Sequence, residues 1–280
     1  MSDMKGTVLI LGALLLAGCA EQKDANLAPS RPNIFVSIPP QAGLLKSICG
    51  NHINVHTLVA EGQSPHAYEP TAKQLAVLGT ADALFTIGVP FERTLLKKIT
   101  SIYPNLPIFR TESGIPQRSI SNTHVCQQCT HDHGEKDPHV WLSPSTAETI
   151  AQNMLTALKN IDPDHEHEFK TSFEQLSQQL KDIDSLNQKK LEKYRGRRFY
   201  VFHPSFGYFA DTYELEQIPV ELDGKSPSPR QLARLIEQAK EDGVKVIFVQ
   251  KQFPIESASA VANAINGTVA ALDPLAEDIV

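Results

Sequence analysis

The sequence predicts an α/β protein of two lobes, each a mostly parallel sheet covered by helices, joined by one long rigid helix. Three observations carry that expectation. Short apolar strand patterns alternate with helical patterns in both halves of the chain, which is how parallel strands buried on both faces by crossover helices read. Between the halves lies a helical stretch from about residue 164 to 194 with no Gly or Pro inside it. The third observation is length, since 280 residues suffice for two modest domains or one large one.

In the first half, Asn33 to Ile38 reads as a strand and Gln41 to Cys49 as a helix. Ile53 to Val59 is a strand, Thr71 to Leu78 a helix, and Ala83 to Ile87 an apolar strand closed by Gly88. Phe91 to Ile102 is helical and Pro107 to Arg110 is a short strand. From Thr111 to Asp137 the pattern gives way to a polar loop rich in Ser, Gln, His and Cys. That is longer than the ~12–15 residues usual for structureless connections, so a functional segment is expected there. Ser143-Pro144 opens a helix running to about Asn160, with Ser as cap and Pro in the first turn.

Pro163 starts the long helix, in which Phe169, Phe173, Leu176, Leu180, Ile183, Leu186 and Leu191 form one apolar stripe. In the second half, Arg198 to Phe202, Ile218 to Leu222, Val244 to Val249 and Thr268 to Leu272 read as strands. Phe206 to Tyr213, Ser228 to Lys240 and Ser257 to Ile265 read as the helices between them. The expected organisation is a signal peptide over 1–18, a tether over 19–32 and a first lobe over 33–162, with its loop at 111–137. A linking helix over 163–195 and a second lobe over 196–280 complete it.

The N-terminus carries its own signal. Lys5 precedes an apolar run from Val8 to Ala17, interrupted only by Gly12. Ten such residues make ~15 Å of helix, half of a ~30 Å hydrocarbon core, so the segment reads as an export signal and not as a membrane span. Leu16-Ala17-Gly18-Cys19 resembles a bacterial lipobox, in which the cysteine is acylated, and the polar run Glu21 to Ser30 suits a tether. The alternative is an ordinary signal peptide cut nearby, with Cys19 incidental. Stable anchoring takes two or more acyl chains. The mature chain is expected in a periplasm or on the outer face of the cytoplasmic membrane, held by lipid.

A net charge of -6 and a pI near 5.9 argue against a nucleic-acid footprint, which would want a basic face. With Cys19 acylated, Cys49, Cys126 and Cys129 remain, an odd number that makes no complete disulfide framework in an exported protein. Cys49 lies in an apolar helical stretch and reads as a small buried hydrophobe.

The ten histidines are His52, His56, His66, His124, His131, His133, His139, His165, His167 and His203. His165 and His167 start a charged helix and read as solvated, and His52 and His56 flank or alternate within a strand, where a solvent-facing role is the default. Three others share a setting. His66 stands in Ser64-Pro65-His66-Ala67-Tyr68-Glu69-Pro70 after the second strand, and His139 in Asp137-Pro138-His139-Val140-Trp141-Leu142-Ser143-Pro144 before a helix. His203 stands in Phe202-His203-Pro204-Ser205 at the end of a strand. Asp273 ends the last strand in Leu272-Asp273-Pro274-Leu275.

Ligands in open α/β sheets bind beyond the carboxyl ends of strands, where His66, His203 and Asp273 fall. Adjacent prolines stiffen each loop. Three neutral imidazoles and one carboxylate make a tetrahedral zinc site, although imidazole also suits Cu, Ni and Fe.

The His66 and His139 segments, Phe-His-Pro-Ser-Phe-Gly-Tyr-Phe over 202–209, and Phe248-Val249-Gln250-Lys251-Gln252-Phe253 together resemble the zinc/manganese-uptake class of ABC-transporter solute-binding proteins. The resemblance runs from Asn33 onward. It implies two α/β lobes, a rigid linking helix, and one metal held in the cleft by His66, His139, His203 and Asp273, with an ABC permease as partner. It also implies zinc, because imidazole at the His203 position goes with zinc in that class, and glutamate there goes with manganese. A second carboxylate would make a harder site, suited to Mn²⁺.

Two departures stand out. The chain stops at Val280, soon after Asp273, where members of the class usually continue into another helix, so a truncated second lobe is expected. The His- and acid-rich insertion often found before the second ligand is short here, running from His124 to His133. Cys126-x-x-Cys129 with His131, His133 and His124 could chelate a second zinc or a softer ion. An inert connector, its cysteines free or oxidised together, is the alternative. A thioredoxin-like redox motif lacks its strand-to-helix context.

Zinc transport by a monomeric binding protein without catalysis is therefore the expectation. A manganese- or iron-binding member of the class and a surface adhesin or metal-storage lipoprotein are alternatives. A zinc hydrolase is remote: four protein ligands leave no open position for water, Glu69 reads as a structural loop residue and not a base, and no His-Glu-x-x-His spacing occurs.

Overall fold

A computed structural model of the chain describes residues 31–120, 136–221, 225–253 and 255–278. The export signal, Cys19, the tether as far as residue 30, and the Cys126/Cys129 loop lie outside the described residues. Among the described residues no helix is long and apolar enough to cross a membrane.

Two four-stranded parallel sheets form the frame. The first is built from β1 (Asn33–Val36), β2 (Asn54–Thr57), β3 (Ala83–Thr86) and β4 (Ile108–Arg110), in the order β2-β1-β3-β4. The second, from β5 (Arg198–Val201), β6 (Glu216–Pro219), β7 (Val246–Val249) and β8 (Thr268–Ala271), repeats that order as β6-β5-β7-β8. β3 is buried along its whole length because it lies between β1 and β4, whereas β2 alternates in exposure because it is an edge. The helices are α1 (Pro39–Cys49), α2 (Ala72–Leu78), α3 (Glu92–Ile102), α4 (Pro144–Ile161), α5 (Glu166–Leu191), α6 (Gly207–Thr212), α7 (Pro229–Glu241) and α8 (Glu256–Ala264).

Local chemistry explains where these elements begin and end. Pro39 and Pro40 open α1 at positions whose N–H groups would have no helical partner, and Gly50 closes it at φ 53°. Thr71 caps α2 reciprocally: its Oγ1 accepts from the Gln74 N–H at 3.2 Å, while Gln74 Oε1 accepts from the Thr71 N–H at 2.9 Å. Cys49 is buried at the end of α1, and burial pushes its thiol up to about 11.

Some expectations shift. Ser143 precedes α4, but its side chain makes no cap and instead meets Ser145 Oγ at 3.1 Å and Thr212 Oγ1 at 2.9 Å. β6 starts and ends earlier than the apolar run suggested, and includes Pro219, which an edge strand tolerates. The start of the long polar loop is also anchored. Thr111 Oγ1 donates to the Thr86 carbonyl at 2.7 Å, and Asn153 Nδ2 donates to the carbonyls of Thr111 and Ser113 at 2.8 and 2.9 Å.

The long helix is flanked by 3₁₀ turns at Pro163–His165 and Glu192–Tyr194. Phe169, Leu176 and Leu180 are buried with α1 and α4 in the first core, but Leu186 is 49% exposed. The stripe outruns that core. Beyond it the helix meets the second lobe through Tyr213, whose hydroxyl donates to Asp184 Oδ1 at 2.9 Å and accepts from Asn187 Nδ2 at 3.3 Å.

The two lobes have separate cores, the second centred on Tyr200, Ile218, Leu235, Ile247 and Val261. The segment after β8 returns to the first. Leu275 is buried in the first core, Trp141 Nε1 donates to the Pro274 carbonyl at 2.6 Å, and Lys46 pairs with Glu277 at 2.6 Å. Gly43 is obligatory at this crossing, because a Cβ there would stand 1.9 Å from the Glu277 carbonyl oxygen.

Candidate metal centre

His203 lies two residues beyond the end of β5, and its backbone is fixed on both sides by one side chain. The His203 N–H donates to Gln250 Oε1 at 3.1 Å, and Gln250 Nε2 returns a bond to the His203 carbonyl at 2.6 Å. Parallel pairing of Val201 with Pro219 carries Glu221 alongside His203 two residues later. Glu221 Oε1 lies 2.6 Å from His203 Nδ1, while the Phe253 ring stacks on the imidazole at a centroid distance of 4.8 Å.

His139 is built the same way from a different element. It is 3% exposed, and Asp137 Oδ1 accepts both its backbone N–H at 3.0 Å and its Nδ1 at 2.8 Å. A carboxylate at its ordinary charge only accepts, so in both residues Nδ1 carries the proton and Nε2 presents a lone pair. His66 is supplied by the loop after β2. Its N–H donates to Ser64 Oγ at 3.3 Å, and its ring lies edge-on to that of His203 at a centroid distance of 4.7 Å.

The three Nε2 atoms converge. They stand 3.3 Å apart for His66 and His139, 3.0 Å for His66 and His203, and 3.3 Å for His139 and His203. Ligands of a tetrahedral zinc ion at ~2.0–2.1 Å lie ~3.3 Å from one another, so one such ion fits the triangle without rearranging it. Burial, then the neighbouring imidazoles His139 and His203, push His66 down to about 3. Burial likewise lowers His139, with Asp137 opposing it in part. Both rings are therefore neutral at neutral pH and free to bind a cation.

Asp273, expected beside them, is engaged elsewhere. Its Oδ1 accepts from the Leu275 N–H at 3.0 Å and Gln252 Nε2 at 3.2 Å, and its Oδ2 pairs with Lys251 Nζ at 3.2 Å. Partial burial would raise its carboxyl, but these three partners together hold it below the usual range. Among the described residues, the His, Cys, Asp and Glu side chains whose ligand atoms lie within 4.8 Å of one another are His66, His139 and His203; Asp273 is not in that group.

Of the remaining described histidines, His165 pairs through Nδ1 with Asp162 at 2.8 Å and its ring lies tilted against that of His52 at a centroid distance of 3.9 Å, and His56 stacks on Phe35. His124, Cys126, Cys129, His131 and His133 lie outside the described residues. Glu221 and Gln250 had no assigned role in the sequence. Glu221 was marked only by its position near the end of an edge strand, whereas Gln250 lay within the 248–253 segment that carries the family resemblance.

A family model described as zinc-uptake complex component A, periplasmic (ZnuA), matches residues 34–279. The zinc-binding lipoprotein AdcA of Streptococcus pneumoniae is 27% identical over 274 residues, which is 94% of this chain and 53% of that protein. The chain thus spans about half the length of the curated relatives it matches first. The high-affinity zinc uptake system protein ZnuA of Bacillus subtilis is 29% identical, with 94% of this chain and 85% of that protein covered. A crystal structure of ZnuA superposes with a TM-score of 0.81 at 35% identity, over 88% of this chain and 92% of the other.

Proposed function

The chain belongs to the periplasmic zinc-uptake component A family, and on that premise we propose that it captures zinc outside the cytoplasm and delivers it to an ABC permease. The observation that supports this reading best is the triangle of Nε2 atoms at 3.0–3.3 Å, two of them backed by carboxylates on Nδ1. Zinc is cargo in this reading, held by coordination alone, with no covalent chemistry on it. His66, His139 and His203 are three of its ligands, and Asp273 becomes the fourth when Lys251 yields its carboxylate to the ion.

Three imidazoles and one carboxylate favour zinc over manganese, which prefers harder oxygen sites. The chain acts as a monomer, held through acylated Cys19 to a membrane on its outer, periplasmic side. The proposed division is a first lobe over 33–162, a linking helix over 163–195 and a second lobe over 196–280, whose segment after β8 crosses back to pack on the first. Elemental analysis of the untagged protein, loaded with zinc and manganese in competition, tests the reading. One zinc per chain is expected; manganese in its place, or no bound metal, would defeat it.

A further inference from the structure

Arg118 stands where three pieces of the chain meet. Its Nη1 donates to Asp137 Oδ2 at 2.6 Å, on the segment that carries His139. Its Nε and Nη2 grip both oxygens of Asp211, on α6 of the second lobe, at 2.8 and 3.3 Å. The guanidinium carbon lies 5.9 Å from the centroid of the Tyr208 ring, also on α6. The Tyr208 hydroxyl accepts the Arg118 N–H at 3.4 Å and donates to the Pro116 carbonyl at 3.2 Å. The backbone adds a bond from the Asp137 N–H to the Arg118 carbonyl at 3.0 Å.

The two carboxylates are not equivalent. The Asp137 side chain is fully buried, whereas that of Asp211 is 60% exposed. Each Asp137 oxygen has its own partner: Oδ1 serves His139, and Oδ2 serves Arg118. Without the guanidinium, a buried carboxylate oxygen would lose its charged donor and the carboxylate would be free to turn. Gly207, the first residue of α6, makes the contact possible. A Cβ there would stand 1.6 Å from Arg118 Nη1 and 2.5 Å from Asp137 Oδ2.

We propose that Arg118 is a positioning residue for the metal centre, locking Asp137 against His139 and tying that lock to the seating of α6 in the second lobe. The proposal rests on the zinc reading of the histidine triangle. Arg118 touches no ion. It acts through Asp137 on the orientation of the His139 ring, and through Asp211 it makes that orientation sensitive to the approach of the two lobes. An ordinary surface ion pair would do neither, because the Asp211 half alone is exposed and screened.

The test uses the full chain with Arg118→Met, Arg118→Lys and Asp211→Asn. Zinc affinity is read by competition with a chromogenic chelator, and ligand geometry by the visible spectrum of the Co²⁺-loaded protein. Arg118→Met should weaken zinc about 10–100-fold, the range for outer partners of metal ligands, and change the cobalt spectrum. Arg118→Lys should recover part of that loss, and Asp211→Asn should weaken binding by a smaller factor with a correspondingly smaller change in the spectrum. Wild-type affinity and spectrum in Arg118→Met would overturn the proposal. If that variant does not fold, wild-type affinity in both Arg118→Lys and Asp211→Asn overturns it equally. A wild-type chain that takes up neither zinc nor cobalt defeats the zinc reading itself, a separate outcome from loss of the Arg118 effect.

Discussion

Glu221 and His203 are 18 residues apart in sequence and 2.6 Å apart in the fold, carboxylate oxygen against ring Nδ1. The contact is a product of strand register, since the two residues continue neighbouring strands β5 and β6. Glu221→Ala would leave Nδ1 without its acceptor and the tautomer of His203 unspecified. Zinc affinity should fall ~10–100-fold, and Glu221→Gln, which keeps an acceptor oxygen, should lose less. Equal affinities in all three proteins, measured by chelator competition, would remove Glu221 from the site's supporting shell.

His139→Ala and His203→Ala each delete one vertex of the triangle. Either should weaken zinc by at least ~100-fold, because a closed tetrahedral shell loses one of its ligands. Near-wild-type titration calorimetry for both variants would refute the assigned site.

Asp273 is tied to Lys251 at 3.2 Å, so its role as fourth ligand has a signed test. Lys251→Ala removes a competing cation and should tighten zinc binding, while Asp273→Ala should weaken it. The two effects have opposite sign only if the carboxylate reaches the ion. Unchanged affinity in Asp273→Ala would leave three histidines as the protein's whole contribution.

Glu92 opens α3 and is 3% exposed, accepting the N–H groups of Ile87 and Gly88 at 2.9 and 2.8 Å. Burial outweighs these hydrogen bonds and that from Ser37, raising the carboxyl to about 7. A carboxyl whose pKa is higher in the folded than in the unfolded chain stabilises the fold below its unfolded value. That contribution is lost as pH rises through about 7. Glu92→Gln should therefore destabilise the protein more at pH 5 than at pH 8, with a difference of about 1–3 kcal/mol in urea unfolding. An equal cost at both pH values would show that Glu92 is ionised throughout.

Deleting Thr123 to His133 tests the Cys/His loop. The shortened protein should retain one zinc per chain by elemental analysis, with any second equivalent lost. A shortened protein with no zinc would assign the loop to the main centre.

The sequence by itself determined the order and kind of nearly every element, because strand and helix patterns depend on neighbours a few residues away. The proline-stiffened settings of His66, His139 and His203 were legible for the same reason: loop stiffness is a local property. Their convergence to 3.0–3.3 Å was not. It depends on the parallel register of two sheets and on how the lobes face each other.

Tertiary structure alone decided that Glu221 stands behind His203, that Arg118 reaches 93 residues along the chain to Asp211, and that Asp273 is held by Lys251. It also decided that the apolar stripe of the long helix leaves the core at Leu186. In each case the deciding neighbour lies far along the chain and is brought close only by strand register and packing, which local patterns do not encode.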